Sequence, residues 1–271
     1  MQRSALTVLS TAIVCLVALP WLGRDASALD AAPAQASVVT RPVVTPTLTS
    51  AIDMVAAEEE GVSPDVLQMA LGAIHCATTS GDLAPPPTLT LIDYSRPSVE
   101  PRLWVFELGT GRLLFKELVA HGRNTGDNMA TRFSDAMDSH QSSLGLFVTA
   151  DTYVGSNGYS LRLDGLEPGF NGRARDRAIV MHGAPYVNAG LSASQGRIGR
   201  SWGCPALREA VARDVIDTIR GGGVIFSYYP DDTWLTTSRF LGDCAGETRL
   251  AANERRLRYP SRNPRLVSAV P

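Results

Sequence analysis

The chain is short of the residues that metal centres and disulfide scaffolds need. It has four cysteines and four histidines in 271 residues. No Cys-x-x-Cys occurs and no helix carries paired histidines, so a zinc site has no ligand set. Asp231-Asp232 does not fit a calcium loop. No Gly-x-Gly-x-x-Gly opens a helix after a strand, which removes the support for a dinucleotide site. Neither sign of charge dominates: 25 Lys and Arg stand against 27 Asp and Glu, a formal net charge of -2. That balance lacks the basic excess of a nucleic-acid binder. There is no internal repeat, and beyond the N-terminus no run is apolar and long enough to span a bilayer.

The N-terminus is the exception. Met1-Gln2-Arg3 is a short basic start, Ala5 to Leu22 is nearly continuous apolar or small, and Ala26-Ser27-Ala28 forms a small-x-small site. This pattern predicts a secretory signal peptide over residues 1–28, cut after Ala28. The alternative is a retained membrane anchor, but Pro20 interrupts the run, which is short for a span. Residues 29–49, with Pro33, Pro42 and Pro46, have no period and predict a flexible linker. Cleavage removes Cys15 and leaves Cys76, Cys204 and Cys244 in an oxidising compartment. An odd count suits one pair and one free thiol. Cys76 and Cys244 flank the expected core, so the expectation is a Cys76–Cys244 disulfide and a free Cys204; the alternative is three buried thiols.

Residues 50–246 read as the folded domain. Ser63-Pro64-Asp65 has an N-cap hydroxyl followed by proline at the first helical position, and Val66, Met69, Ala70, Ala73, Ile74 and Ala77 follow at helical spacing up to Gly81. Thereafter the chain is mostly β. Strands are expected over Thr88–Asp93, Leu103–Leu108, Arg112–Ala120, Leu144–Ala150, Tyr159–Leu163, Ala178–Met181 and Val224–Tyr229. Residues 121–143 show no period, and a loop that long in a compact domain points to function. Leu207, Val211, Val215 and Ile219 mark one amphipathic helix, stopped by Gly221-Gly222-Gly223. Residues 247–271 carry six arginines (Arg249, Arg255, Arg256, Arg258, Arg262, Arg265) against two acids and read as a solvated basic tail.

Two features carry chemistry. Gly196 to Pro205 is a Gly-rich turn that ends in a cysteine held between Gly203 and Pro205, and a short apolar strand ends at His182-Gly183. A thiol on a tight turn and an imidazole at a strand end are the minimum pair for nucleophilic catalysis, because the thiolate is the nucleophile and the imidazole takes its proton. The carbonyl of Gly183 can orient the ring, and the amides of Gly203 and Cys204 can serve as oxyanion donors.

These residues resemble a known family. His182-Gly183 followed by Gly199-Arg200-Ser201-Trp202-Gly203-Cys204 is similar to the His-Gly, spacer, Ser/Thr-His-Gly-Cys pattern of the YkuD-like L,D-transpeptidases. The chain more closely resembles their murein L,D-transpeptidase catalytic domain branch. Segments 120–124, 142–145, 159–163, 177–184 and 196–205 carry that likeness, which spans roughly Leu89 to Tyr229. The resemblance implies a mainly β (α+β) fold: an L,D-transpeptidase-like β-sandwich catalytic domain, with a preceding helix and one amphipathic helix after the nucleophile. It implies Cys204 as nucleophile, His182 as base, Gly183 as orienting carbonyl and Gly203 with Cys204 at the oxyanion site. It implies peptidoglycan peptide stems as partners, 3–3 cross-links as product and the periplasm or cell envelope as location. No cofactor, metal, nucleic acid or oligomeric partner is expected, and the membrane is met only through an uncleaved signal segment. Water as acceptor would instead give an L,D-carboxypeptidase, and an unreactive Cys204 a silent wall-binding module.

The chain departs from the broad pattern at Trp202, where most members have a second histidine, and at Pro205-Ala206 after the cysteine. Arg197 and Arg200 are therefore candidates for binding stem carboxylates, beside Ser201 and Trp202. His121 has two available roles: lining the cleft for substrate, or hydrogen-bonding the long loop that follows it.

Overall fold

A computed structural model describes residues 52–242. The predicted export signal, the linker, Cys15, Cys244 and the basic tail lie outside the described residues. In chain order the elements are α1 (Met54–Glu59), α2 (Pro64–Thr79), β1 (Thr88–Asp93), β2 (Leu103–Glu107), β3 (Leu113–Glu117), β4 (Val119–Ala120), β5 (Gly145–Gly155), β6 (Gly158–Gly165), β7 (Val180–Gly183), α3 (Ala189–Gln195), β8 (Ala206–Leu207), α4 (Glu209–Ile219), β9 (Val224–Tyr228) and α5 (Asp232–Thr237).

The fold is mostly β. Nine strands form one sheet in the order β3-β2-β1-β9-β5-β6-β7-β8-β4. Its two edges, β3 and β4, are consecutive in the chain with only Leu118 between them. One length of chain thus supplies both margins, and the sheet curls until it is nearly closed. β9 lies parallel to β1 and antiparallel to β5, with its first four residues buried. Its unbroken apolar run is what a strand covered on both faces requires.

Alternate residues along the strands feed two cores, as the period of two dictates. Leu89, Leu91, Trp104, Phe106, Leu146, Val224 and Phe226 join one with α1 and α2. Ile92, Leu103, Val105, Phe147 and Ile225 join the other, which Val215, Ile216 and Ile219 of α4 complete. Each such fully buried aliphatic side chain is worth about 1.5–3 kcal/mol. α2 starts as its sequence dictates: the Ser63 hydroxyl accepts from Val66 N–H at 3.4 Å, and Pro64 opens the first turn.

Three short elements were not expected. β8 has two residues, too few for a period, and α3 buries none of its residues, so it has no apolar stripe. α5 is six residues long and buries only Trp234. Conversely, Ala178 is not in a strand. It has φ +52°, a left-handed value costly for a residue with a Cβ, and β7 begins two residues later. Among the described residues no helix is long and apolar enough to cross a membrane.

Candidate active site

β7 and β8 are parallel neighbours, with His182 opposite Ala206 and Gly183 opposite Leu207. This pairing brings the strand-end histidine beside the turn that delivers Cys204, across the 21 residues that separate them in sequence. Gly183 is glycine because α4 packs there: a Cβ would lie 3.1 Å from Ala212 Cβ and 3.3 Å from Glu209 Cα.

The turn before Cys204 is held from within. Ser201 Oγ donates to the Cys204 carbonyl at 2.6 Å and accepts from Gly203 N–H at 3.1 Å. Ser201 N–H donates to the His121 carbonyl at 3.0 Å, and Arg123 N–H donates to the Ser201 carbonyl at 2.7 Å. From the other side, Ser142 Oγ donates to the Gly203 carbonyl at 3.3 Å. Gly203 has φ +122°, and a Cβ there would sit 2.8 Å from Gln141 O and 2.9 Å from Ile179 Cδ1, so only glycine fits.

Cys204 is the free cysteine among the described residues and is 8% exposed. Its Sγ accepts from Val180 N–H at 3.5 Å and donates to the Ala178 carbonyl at 3.7 Å. Burial pushes the thiol above its ordinary pKa, while the Val180 amide and the charge of Arg177 pull the other way. His182 is 5% exposed. Its Nδ1 donates to the Gly183 carbonyl at 2.8 Å, so Nε2 carries the lone pair. Burial holds its pKa below the usual imidazole range, partly offset by the Gly183 bond. No hydrogen bond joins Cys204 to His182 among the described residues. A thiol and a neutral imidazole can become a thiolate and an imidazolium when a proton moves between them.

Several expected site residues have other partners. The Gly203 amide is already donated to Ser201, so of the two proposed oxyanion donors only the Cys204 N–H is unpaired among the described residues. Ser201 is buried, and its hydroxyl bonds lie within the turn. His121 is 1% exposed. Arg102 Nη2 donates to its Nδ1 at 2.8 Å, and its Nε2 lies 3.3 Å from the Gly126 carbonyl of the following loop. Arg200 Nη1 donates to Gly126 O at 2.8 Å and Asp127 Oδ1 at 2.9 Å, while Arg197 Nε lies 4.0 Å from the same carboxylate. Both arginines thus tie the cysteine turn to residues 126–127.

Trp202 alone of the expected set stands clear, 68% exposed. His140 lies against its ring, centroids 4.9 Å apart and planes 32° from parallel, and the Arg123 guanidinium sits 5.5 Å from its centroid. Sequence reasoning missed His140, Arg123 and Arg177, because the long loop that presents or receives them has no period to read. A cavity of about 690 Å³ lined by Phe133, Asp135, Leu144, Phe170, Arg173 and Asp231 has neither Cys204 nor His182 in its wall.

The L,D-transpeptidase catalytic domain model matches residues 58–228, more than half of the chain. The chain belongs to that family. No curated protein sequence matches it. Among solved structures it is similar to an L,D-transpeptidase from Mycobacterium smegmatis, with 15% identity and TM-score 0.34 over 53% of this chain and 59% of that one. It is similar to the L,D-transpeptidase (Yku) from Stackebrandtia nassauensis, with 15% identity and TM-score 0.33 over 59% of this chain and 66% of that one. A third is the helical cell shape determining protein Pgp2 from Campylobacter jejuni, with 10% identity and TM-score 0.35 over 59% and 57%. The chain therefore spans less than two thirds of the length of each. The matched L,D-transpeptidase domain contains α2, all nine strands and the whole of the Cys204 and His182 surroundings. Trp202 and Pro205 stand inside it, at the two departures from the broad motif.

Proposed function

We propose that this L,D-transpeptidase domain is an exported cysteine acyltransferase that acts on the tetrapeptide stems of peptidoglycan and forms 3–3 cross-links. His182 Nε2 takes the Cys204 proton, and the thiolate attacks the carbonyl carbon of stem residue three. The oxyanion faces the Cys204 N–H. The C–N bond breaks, D-Ala leaves with the proton from His182, and a thioester remains. The amine of a second stem attacks that carbonyl, His182 takes its proton, and the C–S bond breaks to restore the thiolate. The observation that most supports this reading is the Gly183 carbonyl on His182 Nδ1, which leaves the basic nitrogen free on the strand beside the cysteine turn.

Trp202, with His140 and Arg123 against it, is assigned to substrate contact at the rim of the turn. Arg200 and Arg197 act there through Asp127. The Cys76–Cys244 disulfide remains part of the proposal. Its support is that Cys76 Sγ lies 3.7 Å from the carbonyl of Arg239, five residues before Cys244. Export rests on the N-terminal sequence pattern.

Incubation of purified protein with tetrapeptide muropeptides tests the function. Dimers formed with loss of D-Ala are expected. Tripeptides alone would mean water is the acceptor. No product from wild type, with Cys204→Ala indistinguishable from it, would overturn the enzyme reading.

A further inference from the structure

Arg177 lies behind the nucleophile, and its nearest counter-ion is the buried carboxylate of Asp135 at 3.8 Å. Its side chain is buried, and all four Nη hydrogens are spent on the long loop. Nη1 donates to Ser134 O at 2.8 Å and Ser143 Oγ at 2.5 Å. Nη2 donates to Ser139 Oγ at 3.0 Å and Gln141 O at 2.7 Å. The nearest carboxylate, Asp135, is 3.8 Å away and is itself occupied, with both oxygens accepting from Arg173 N–H at 3.1–3.2 Å. A buried guanidinium held mainly by neutral oxygens, with one carboxylate 3.8 Å away, keeps part of its positive field.

That field falls on the cysteine turn. A Cβ on Gly203 would sit 3.4 Å from Arg177 Nη2, so the guanidinium lies against the Gly203–Cys204 peptide. The next residue, Ala178, is in the left-handed region and turns its carbonyl onto Cys204 Sγ, and Val180 N–H follows. One short segment thus presents a cation, an acceptor and a donor to the thiol's surroundings. A non-glycine residue held at positive φ is a form of strain that functional sites retain.

We propose that Arg177 is the positioning residue of the Cys204 thiolate: it clamps the 134–143 loop behind the Gly203–Cys204 peptide and supplies the fixed positive charge that stabilises the sulfur anion once His182 has taken the proton. The inference rests on Cys204 being the nucleophile. It fits the departure at Trp202, where the broad family pattern has a second histidine. The other titratable groups acting on the thiol are Tyr94 after β1 and Tyr186 after β7, beside His182 on β7 as its proposed base. Both phenols are pushed up to about 12 by burial, so neither changes charge in the range below. Arg177 is the cation that acts on Cys204, and Asp135 with Arg173 flanks it.

The test is the pH dependence of Cys204 alkylation by iodoacetamide in the full chain, read at the Cys204 peptide by mass spectrometry. Thiolate forms the S–C bond and iodide leaves. Arg177→Gln should raise the labelling midpoint by about one unit, roughly tenfold slower labelling below it. Arg177→Lys should recover most of that shift. Asp135→Asn keeps the guanidinium and removes its counter-charge, so the midpoint should fall; it also serves if the Arg177 variants fail to fold. A purely structural clamp would lower Tm in Gln and Lys variants alike and leave the midpoints at the wild-type value. Equal midpoints in all folded variants overturn the inference. Absence of Cys204 labelling in wild type overturns instead the reading it rests on.

Discussion

Arg102 Nη2 donates to Nδ1 of His121 at 2.8 Å, and that bond separates the two motif histidines by chemistry. Because Nδ1 accepts, His121 is the Nε2–H tautomer, and protonating it would place a second cation against a buried guanidinium. Burial first, and then the Arg102 charge, pull its pKa down from 6.5 to about 3. His182 instead donates through Nδ1 to a carbonyl and keeps Nε2 as a base. The sign of the stability effect follows. Between pH 6.5 and about 3 the unfolded chain binds a proton that folded His121 refuses. Stability therefore falls as pH drops through the unfolded value, by up to about 1.4 kcal/mol per pH unit. His121→Gln can still accept from Arg102 but does not titrate. Its Tm should fall less steeply than wild type from pH 6.5 to 4, with His182 supplying the remaining slope. Parallel Tm curves would show that His121 is not held neutral.

Gly203→Ala should damage activity more than stability. The left-handed φ and the contacts with Gln141 O and Ile179 Cδ1 predict a loss of about 1–3 kcal/mol in thermal unfolding. Cys204, one residue on and the proposed nucleophile, must shift to relieve them, and a displacement near 1 Å costs about 100-fold in rate. The check is Tm beside Cys204 labelling rate. Wild-type labelling in Gly203→Ala would show that the turn tolerates a side chain.

Much of the frame was legible in the sequence. Ser63-Pro64 announced α2, the period of four announced α4, and the unbroken run Val224 to Phe226 announced a central strand. His182 and Cys204 stood out because each sits at a break in apolar pattern beside glycine. What was hidden depends on groups distant in sequence. Ser201 reads as a substrate-facing hydroxyl until the Cys204 carbonyl is found 2.6 Å from it. His121 reads as an open ring until Arg102, 19 residues earlier, is found on its Nδ1. Arg177 reads as a charge before a strand until four oxygens from residues 134–143 close on it.

Trp202→Ala separates binding from chemistry. The ring is exposed, with His140 and Arg123 against it, so Tm should hold. KM for tetrapeptide muropeptides should rise a few-fold, about 1 kcal/mol of lost aromatic contact. Cys204 labelling should be unchanged. A fall in kcat with constant KM would place Trp202 in the chemical step instead.

Non-reducing peptide mapping of exported protein should find the Cys76 peptide joined to that of Cys244. Cys76→Ala should then cost about 2–5 kcal/mol in unfolding. A mixed disulfide containing Cys204 would contradict both the pairing and the free nucleophile.

As the proposed nucleophile, Cys204 carries the acyl group between the two half-reactions. Rapid acid quench of the protein with a tetrapeptide stem, followed by peptide-resolved mass spectrometry, reads it directly. A thioester-linked tripeptide on Cys204 is expected in wild type, formed as D-Ala is released, and none in Cys204→Ala. Release of D-Ala by Cys204→Ala, or an adduct on any other residue, would contradict it.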